Sequence, residues 1–341
     1  MEKYDIIIVG AGPAGLRCAE ILSKSDKSVL LLEKNAKMGQ KVCAGGITNK
    51  DLEILDLPDS LIEHRVNRTA VHSPKRSSEA NTKDPVVYTL SREELGEWQY
   101  QRLINTSVKV LFNARVSEIN DSEVIVNNNE GFKYSILVGA DGVNSIVRRH
   151  LKIPTEKRLI GIQYLISSTK EPKLEIFMNS KLFKAWYAWV FPHKDHIAVG
   201  CVADPKTMPS QTLKVNFKKW LDQKGFDISK AKYQSWPISY DYRGYTFGNT
   251  FLIGEAAGLA SGFTGEGIYQ SLTSGDAVAR IILDPGYVSK EMGNVIKYNR
   301  IQNKIMKFLL LAGPFRGFFH ELLIRALNNP TIKRKINAGF S

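Results

Sequence analysis

Short apolar runs open onto glycine-rich turns at three places along the chain. From Tyr4 to Lys34, YDIIIVGAGPAGLRCAEILSKSDKSVLLLEK predicts a strand, a tight turn, a helix and a second strand ending at Glu33. ILVGADGVNSIVRR, Ile136 to Arg149, predicts a strand followed by Asp141 and Gly142. FLIGEAAGLASGFTGEGIYQSL, Phe251 to Leu272, predicts a strand opening into a glycine-rich loop and a helix. Between the last two, residues 161–204 read as several β-strands separated by turns. Within them YAWVFPHKDH sets Tyr187, Trp189 and Phe191 at alternate positions before Pro192 stops the run. Alternate strand residues share a face, so the three rings form one aromatic surface, either buried core or the wall of a pocket.

A different pattern closes the chain. KIMKFLLLAGPFRGFFHELLIRALNNPTIKRK, Lys304 to Lys335, mixes apolar runs with Lys304, Lys307, Arg316, Arg325, Lys333, Arg334 and Lys335. Gly313 and Pro314 break it before it could span a bilayer. Two readings stand: a pair of amphipathic helices docked on the protein, or helices lying on a membrane surface.

Composition narrows the classes. At 341 residues and 43% hydrophobic, the chain can bury the cores of two or three packed units. Its formal charge of +13, from 47 Lys and Arg against 34 Asp and Glu, suits an anionic partner. No zinc-finger spacing, RNP sequence or basic helical arm supports nucleic acid, which leaves an anionic membrane surface. Cys18, Cys43 and Cys201 lie far apart without CxxC spacing, which argues against a disulfide framework or a metal site. Cys18 is expected to be a packing residue. The opening MEKYDIIIVG lacks a signal-peptide pattern, so the expected location is the cytoplasm, with peripheral contact to a membrane. His193 and His196 flank Lys194 and Asp195 in what reads as a solvated turn outside catalysis.

The N-terminal segment carries the strongest local chemistry. Gly10 allows the turn, Gly12 lets backbone approach a pyrophosphate, and Gly15 lets the helix pack close to the strand. Pro13 and Ala14 open the helix, whose N–H groups and dipole face the phosphates. Glu33, followed by Lys34, falls roughly 20 residues after the glycines, where an acid accepts hydrogen bonds from a ribose. By itself this fingerprint fits NAD or FAD.

Together with Asp141 and Gly142, and with Gly254, Glu255, Gly265, Glu266, Gly267 and Ile268, the fingerprint resembles the three flavin-binding motifs of p-hydroxybenzoate hydroxylase-like oxidoreductases. The resemblance covers nearly the whole chain in the expected order and implies FAD. The acid after Gly254 would bind a ribityl hydroxyl, and the family usually has Asp where this chain has Glu255. The helix beginning around Gly265 to Ile268 would aim its N-terminus at the flavin pyrimidine edge. Arg92, in LSREELGEWQYQRL, resembles the family's arginine near the ribityl or phosphates.

A sharper resemblance is to the geranylgeranyl reductase branch. Its aromatic-x-Trp-x-Phe-Pro sequence is matched by Tyr187, Trp189, Phe191 and Pro192, its Cys-Gly-Gly-like turn by Cys43, Gly45 and Gly46 in KVCAGGI, and its TGEGI phrase by Thr264 to Ile268. The implied fold class is α/β: a Rossmann-like FAD-binding domain (1–155 and 246–285, with substrate-domain segments within 60–100), an inserted antiparallel substrate sheet (156–245) and a C-terminal helical region (286–341). The implied activity is saturation of carbon–carbon double bonds in an isoprenoid lipid, with NAD(P)H or reduced ferredoxin as electron donor. The aromatic face would be the wall for the polyene. Cys43 has two readings: a thiol that helps donate the proton or positions the alkene, or a small buried residue that permits the turn; the reduced flavin and a water ordered in the pocket are the other candidate proton donors. Two other classes stay open, a flavin-dependent aromatic hydroxylase and a flavoprotein passing electrons to a partner such as ferredoxin.

Overall fold

The computed structural model describes residues 1–168 and 173–329; Lys333, Arg334 and Lys335 of the basic C-terminal cluster lie outside the described residues. The chain forms two compact units, one of Met1–Gln40, Arg92–Arg158 and Ile238–Ile301, the other of Lys41–Ser91, Leu159–Pro237 and the chain from Gln302 onward. The chain passes between the units after Gln40, Ser91, Arg158, Pro237 and Ile301, and helix Arg316–Leu327 belongs with the second unit.

In the first unit, Glu2–Val9 lies between Val29–Leu32 and Glu130–Gly139, parallel to both. Lys109–Leu111 and Thr250–Leu252 extend the parallel sheet on either side. Val116–Asn120 and Glu123–Val126 add an antiparallel ribbon to Glu130–Gly139. Strands buried on both faces read as continuous apolar runs. Ile7, Leu30 and Leu137 accordingly pack into one core, and Ile6, Leu31 and Val138 into another. Cys18 lies fully buried in the second. The helices Pro13–Leu22 and Ile268–Leu283 meet at Gly275, where a Cβ would come within 2.4 Å of Ala14 O.

The second unit is built on a seven-stranded sheet in the order Lys232–Ser239, Arg158–Ser167, His196–Ala203, Tyr187–Pro192, Leu174–Met178, Arg68–His72, Ser77–Asn81. Leu174–Met178 pairs in parallel with Arg68–His72, while Arg158–Ser167 with His196–Ala203, His196–Ala203 with Tyr187–Pro192, Tyr187–Pro192 with Leu174–Met178, and Arg68–His72 with Ser77–Asn81 are antiparallel. Helix Ser210–Lys224 covers one face: its Trp220 ring stands edge-on to Phe177 at 5.1 Å, and Phe177 pairs with Ala188. Residues that pair across strands share a face, so Ala188 and Val190 belong to the helix-covered side and Tyr187, Trp189 and Phe191 to the other. A three-stranded ribbon joins Gly46–Ile47, Val87–Thr89 and His64–Val66. Helix Arg316–Leu327 is tied to the Arg68–Asn81 hairpin region by Glu321, which accepts from Lys75 N and Arg76 Nη1 at 3.1 and 3.0 Å.

Candidate functional site

The glycine turn after the first strand fits an anionic dinucleotide. Gly10 has φ +102°, and a Cβ there would lie 2.6 Å from Ala140 O; at Gly15 it would lie 2.0 Å from Gly10 O. Both positions therefore exclude a side chain. Gly12 differs, because its Cβ would meet nothing within 4 Å. Gly12 is also the N-cap of helix Pro13–Leu22, which has no side-chain cap and no acid in its first turn. Its first N–H groups thus keep their donor capacity next to open space, as a pyrophosphate requires. Glu33, buried at the end of the second strand, accepts from Ala11 N through Oε2 at 2.9 Å, and from Asn35 N and Nδ2 through Oε1 at 2.9 and 2.8 Å. The acid thus braces the turn, and Lys34 beside it is exposed.

Two further segments complete this cradle within the first unit. Asp141 accepts from Ile146 N at 2.6 Å through Oδ2, while its Oδ1 is buried with no protein partner among the described residues. Burial pushes the carboxyl's pKa above its usual range, against the hydrogen bonds from Ser145 and Ile146. An orphaned acceptor of this kind fits a ligand hydroxyl. Gly142 follows with φ +73°. Glu255 is buried after Gly254, and its Oε1 lies 3.8 Å from where a Cβ on Gly267 would stand. Gly267 is the N-cap of Ile268–Leu283, again without a side-chain cap or first-turn acid. Gly265, at φ +69°, donates to Ser261 O, and Glu266, which is exposed, accepts from Ser261 N through its carbonyl. Arg92 opens helix Arg92–Gln101, its carbonyl 2.0 Å from the Cβ position of Gly39. These residues fit FAD: two uncapped helix N-termini, an open glycine and an orphaned buried carboxylate oxygen.

Arg148, read in the sequence only as part of the second motif, has a distinct structural role. It is 2% exposed and donates to Pro154 O, Ala256 O and Asp241 O at 2.8, 3.1 and 2.8 Å. A buried guanidinium needs such a set of acceptors, and here it ties the Asp141 segment to the turn after Glu255.

In the second unit, the aromatic stripe is not core. Along Tyr187–Pro192 burial alternates, with Ala188, Val190 and Pro192 buried and Tyr187, Trp189 and Phe191 only half-buried. Trp189 pairs with Gly200, which cannot carry a side chain because its Cβ would stand 2.3 Å from the indole Cζ2. Gln163 and Ile176 complete the row, so all share the aromatic face. Gln163 donates from Nε2 to Cys43 O at 3.1 Å, which holds the KVCAGGI turn on that same face. Gly45 has φ +75°, and a Cβ on Gly46 would lie 2.5 Å from Phe191 Cε1. The turn and the stripe, separate in sequence, are therefore one constellation. Cys43 is half-exposed, unlike Cys18 and Cys201, whose thiols burial pushes well up in pKa.

His193 corrects the expectation of a solvated turn. It is 9% exposed, its ring stacks on His196 at 4.4 Å, its Nδ1 pairs with Glu63, and its Nε2 lies 3.0 Å from Ala44 O. Glu63, Ala44 and Gly45, all distant in sequence, help remove this side chain from solvent. His196 remains partly exposed beside Asp195. Among the described residues, no cluster of His, Cys, Asp and Glu could hold a metal, and no helix is long and apolar enough to cross a membrane.

The FAD binding domain family matches residues 3–282. An uncharacterized protein of Methanosarcina barkeri is 29% identical over 340 residues, covering 96% of this chain and 87% of its own length. The geranylgeranyl diphosphate reductase of a Synechocystis strain is 28% identical over 316 residues, covering 82% and 75%. Among solved structures, a geranylgeranyl bacteriochlorophyll reductase-like protein from Thermoplasma acidophilum superposes with a TM-score of 0.79 at 20% identity, covering 96% of this chain and 92% of that one.

Proposed function

We infer, for a chain that belongs to the FAD-binding family of p-hydroxybenzoate hydroxylase-like flavoproteins, a reductase that saturates carbon–carbon double bonds in the geranylgeranyl chain of a lipid or prenyl precursor. The class, FAD-dependent oxidoreductase, follows from the family. The observation that carries the finer reading is the aromatic face of the second unit's sheet, with the Cys43 turn held on it by Gln163. The relatives named as reductases of geranylgeranyl compounds support the same substrate class.

FAD, when reduced, supplies the hydride that one alkene carbon receives. The chain's own residues do the rest. Tyr187, Trp189 and Phe191 offer flat apolar surface to a polyene that forms almost no hydrogen bonds, so binding scales with buried area at ~25 cal/mol per Å². Cys43 is the proposed proton source for the other alkene carbon, its sulfur left as a thiolate that accepts from Gly45 N, now 3.4 Å away. Electrons reach the site from NAD(P)H or reduced ferredoxin.

Such substrates reside in membranes, and the C-terminal helices carry a surface suited to one. Ile305, Phe308, Leu311, Phe315, Phe318 and Leu322 recur at helical spacing and are 42–77% exposed, while Met306, Leu309, His320 and Ile324 turn inward. Part of this stripe lines a groove of about 450 Å³. Lys304, Lys307 and Arg325 are exposed on the same helices, which suits anionic lipid and peripheral attachment.

The test is an anaerobic single turnover. The bound FAD is reduced chemically, geranylgeranylated lipid is added, and the flavin spectrum and product mass are followed. Reoxidation with gain of hydrogen by the lipid is expected. A flavin that stays reduced until oxygen enters, with a phenol then gaining oxygen, would make the protein a hydroxylase instead.

A further inference from the structure

Three successive carbonyls of the cysteine turn are each taken by a different donor. Gln163 Nε2 donates to Cys43 O at 3.1 Å, His193 Nε2 to Ala44 O at 3.0 Å, and Leu90 N to Gly45 O at 3.1 Å. The first comes from the aromatic sheet face and the third from the backbone after the Val87–Thr89 strand. The middle one comes from a buried histidine whose other ring nitrogen is spent on Glu63.

That middle contact reaches the thiol. Ala44 C=O and Gly45 N–H belong to one peptide unit, and Gly45 N donates to Cys43 Sγ at 3.4 Å. A donor on the carbonyl side of a peptide polarises it and makes its N–H a stronger donor. Glu63, His193, the Ala44–Gly45 peptide and Cys43 therefore form one unbroken chain of hydrogen bonds.

Ala44 O can only accept, so the ring donates to it from Nε2 and presents Nδ1 to Glu63. His196 stacks on the ring, and Asp195 holds His196 Nδ1 at 2.8 Å.

We propose that Glu63 and His193 are positioning residues for Cys43, holding the Ala44–Gly45 peptide so that its N–H stays on the sulfur as a thiolate forms there. The proposal rests on the reading of Cys43 as the site thiol and deepens it. Neither residue touches the reacting atoms.

The test uses the FAD-loaded full-length protein and reads alkylation of Cys43 by iodoacetamide against pH, located by peptide mass; Cys18 and Cys201, fully buried, serve as internal controls. His193→Ala should move the alkylation profile to higher pH and slow the reaction about tenfold at neutral pH, the effect of one lost hydrogen bond onto the sulfur. His193→Lys, which restores a donor to Ala44 and a charge to Glu63, should recover most of the rate. Glu63→Leu leaves Nδ1 without a partner and so frees the ring from its hold on Ala44, and should shift the profile in the same direction, which keeps the test decisive if His193→Ala misfolds. Profiles superimposable on the wild type in the folded variants would overturn the proposal. Full lipid turnover by Cys43→Ala would instead overturn the catalytic reading of the thiol, and the alkylation profiles would still decide the positioning role.

Discussion

Gly46 and Phe191 stand so close that a Cβ on the glycine would lie 2.5 Å from the ring's Cε1. The contact joins two segments that share no local pattern, the cysteine turn and the aromatic strand. It also makes Gly46 a spacer for Phe191, the ring at one end of the proposed polyene wall.

Replacing Gly46 by Val should push the Phe191 ring off its position. Overpacking of this kind costs ~1–3 kcal/mol. The expected outcome is a lipid KM raised about tenfold with FAD content unchanged, since Gly46 lies outside the cofactor cradle. Steady-state kinetics with a geranylgeranyl lipid, beside the flavin-to-protein absorbance ratio, checks it.

Gly12 gives the opposite case, a glycine whose absent side chain leaves open space. Its φ of −75° and ψ of 179° suit valine, and nothing lies within 4 Å of the added Cβ. Gly12→Val should therefore leave the melting temperature of the flavin-free protein unaltered while FAD affinity falls about tenfold or more, ~1.4 kcal/mol of lost binding. Flavin titration and apoprotein melting separate the two effects. A comparable loss of apoprotein stability would show that the position serves packing.

His320 is 1% exposed, and neither ring nitrogen has a partner among the described residues. Burial first, then the neighbouring Arg316, lowers its pKa from 6.5 to about 4. The unfolded chain thus takes up a proton that the folded one refuses as pH falls from about 6.5 to 4. Its stabilising contribution is complete above that window and is lost across it. His320→Leu should flatten the fall in melting temperature over the same interval, and parallel curves for the two proteins would show that His320 does not govern the acid response.

The exposed stripe of the C-terminal helices should carry lipid attachment. Phe315 and Phe318 are 70% and 64% exposed, so their replacement by Glu should cost the fold little. The double variant F315E/F318E should lose at least about tenfold in sedimentation with vesicles containing anionic phospholipid, and salt should weaken wild-type binding as well. Equal sedimentation of both proteins would remove the stripe from membrane contact.

Much of the cofactor cradle was legible in the sequence because its determinants are local. Gly10, Gly12, Gly15 and Glu33 lie on a single strand–turn–helix–strand unit, in which a positive φ dictates glycine at Gly10 and a close backbone approach dictates it at Gly15, while Gly12 leaves open space beside the helix N-terminus. The period-two pattern of Tyr187, Trp189 and Phe191 likewise established that the rings share one face. Whether that face is core depended on which side helix Ser210–Lys224 covers, a fact set by Phe177 and Trp220 at distant positions. His193 shows the limit most clearly. A Pro-His-Lys-Asp-His run reads as a wet turn, and the folding of Glu63 and Ala44 against the ring helps make it a buried donor. Local sequence determines the dihedral angles and faces of each element, because sterics and side-chain periodicity act over a few residues. The assembly of the cysteine turn, the aromatic row and the Glu63–His193 pair was decided by tertiary packing, which alone brings together groups about 130 to 150 residues apart and excludes the water that would otherwise compete for their hydrogen bonds.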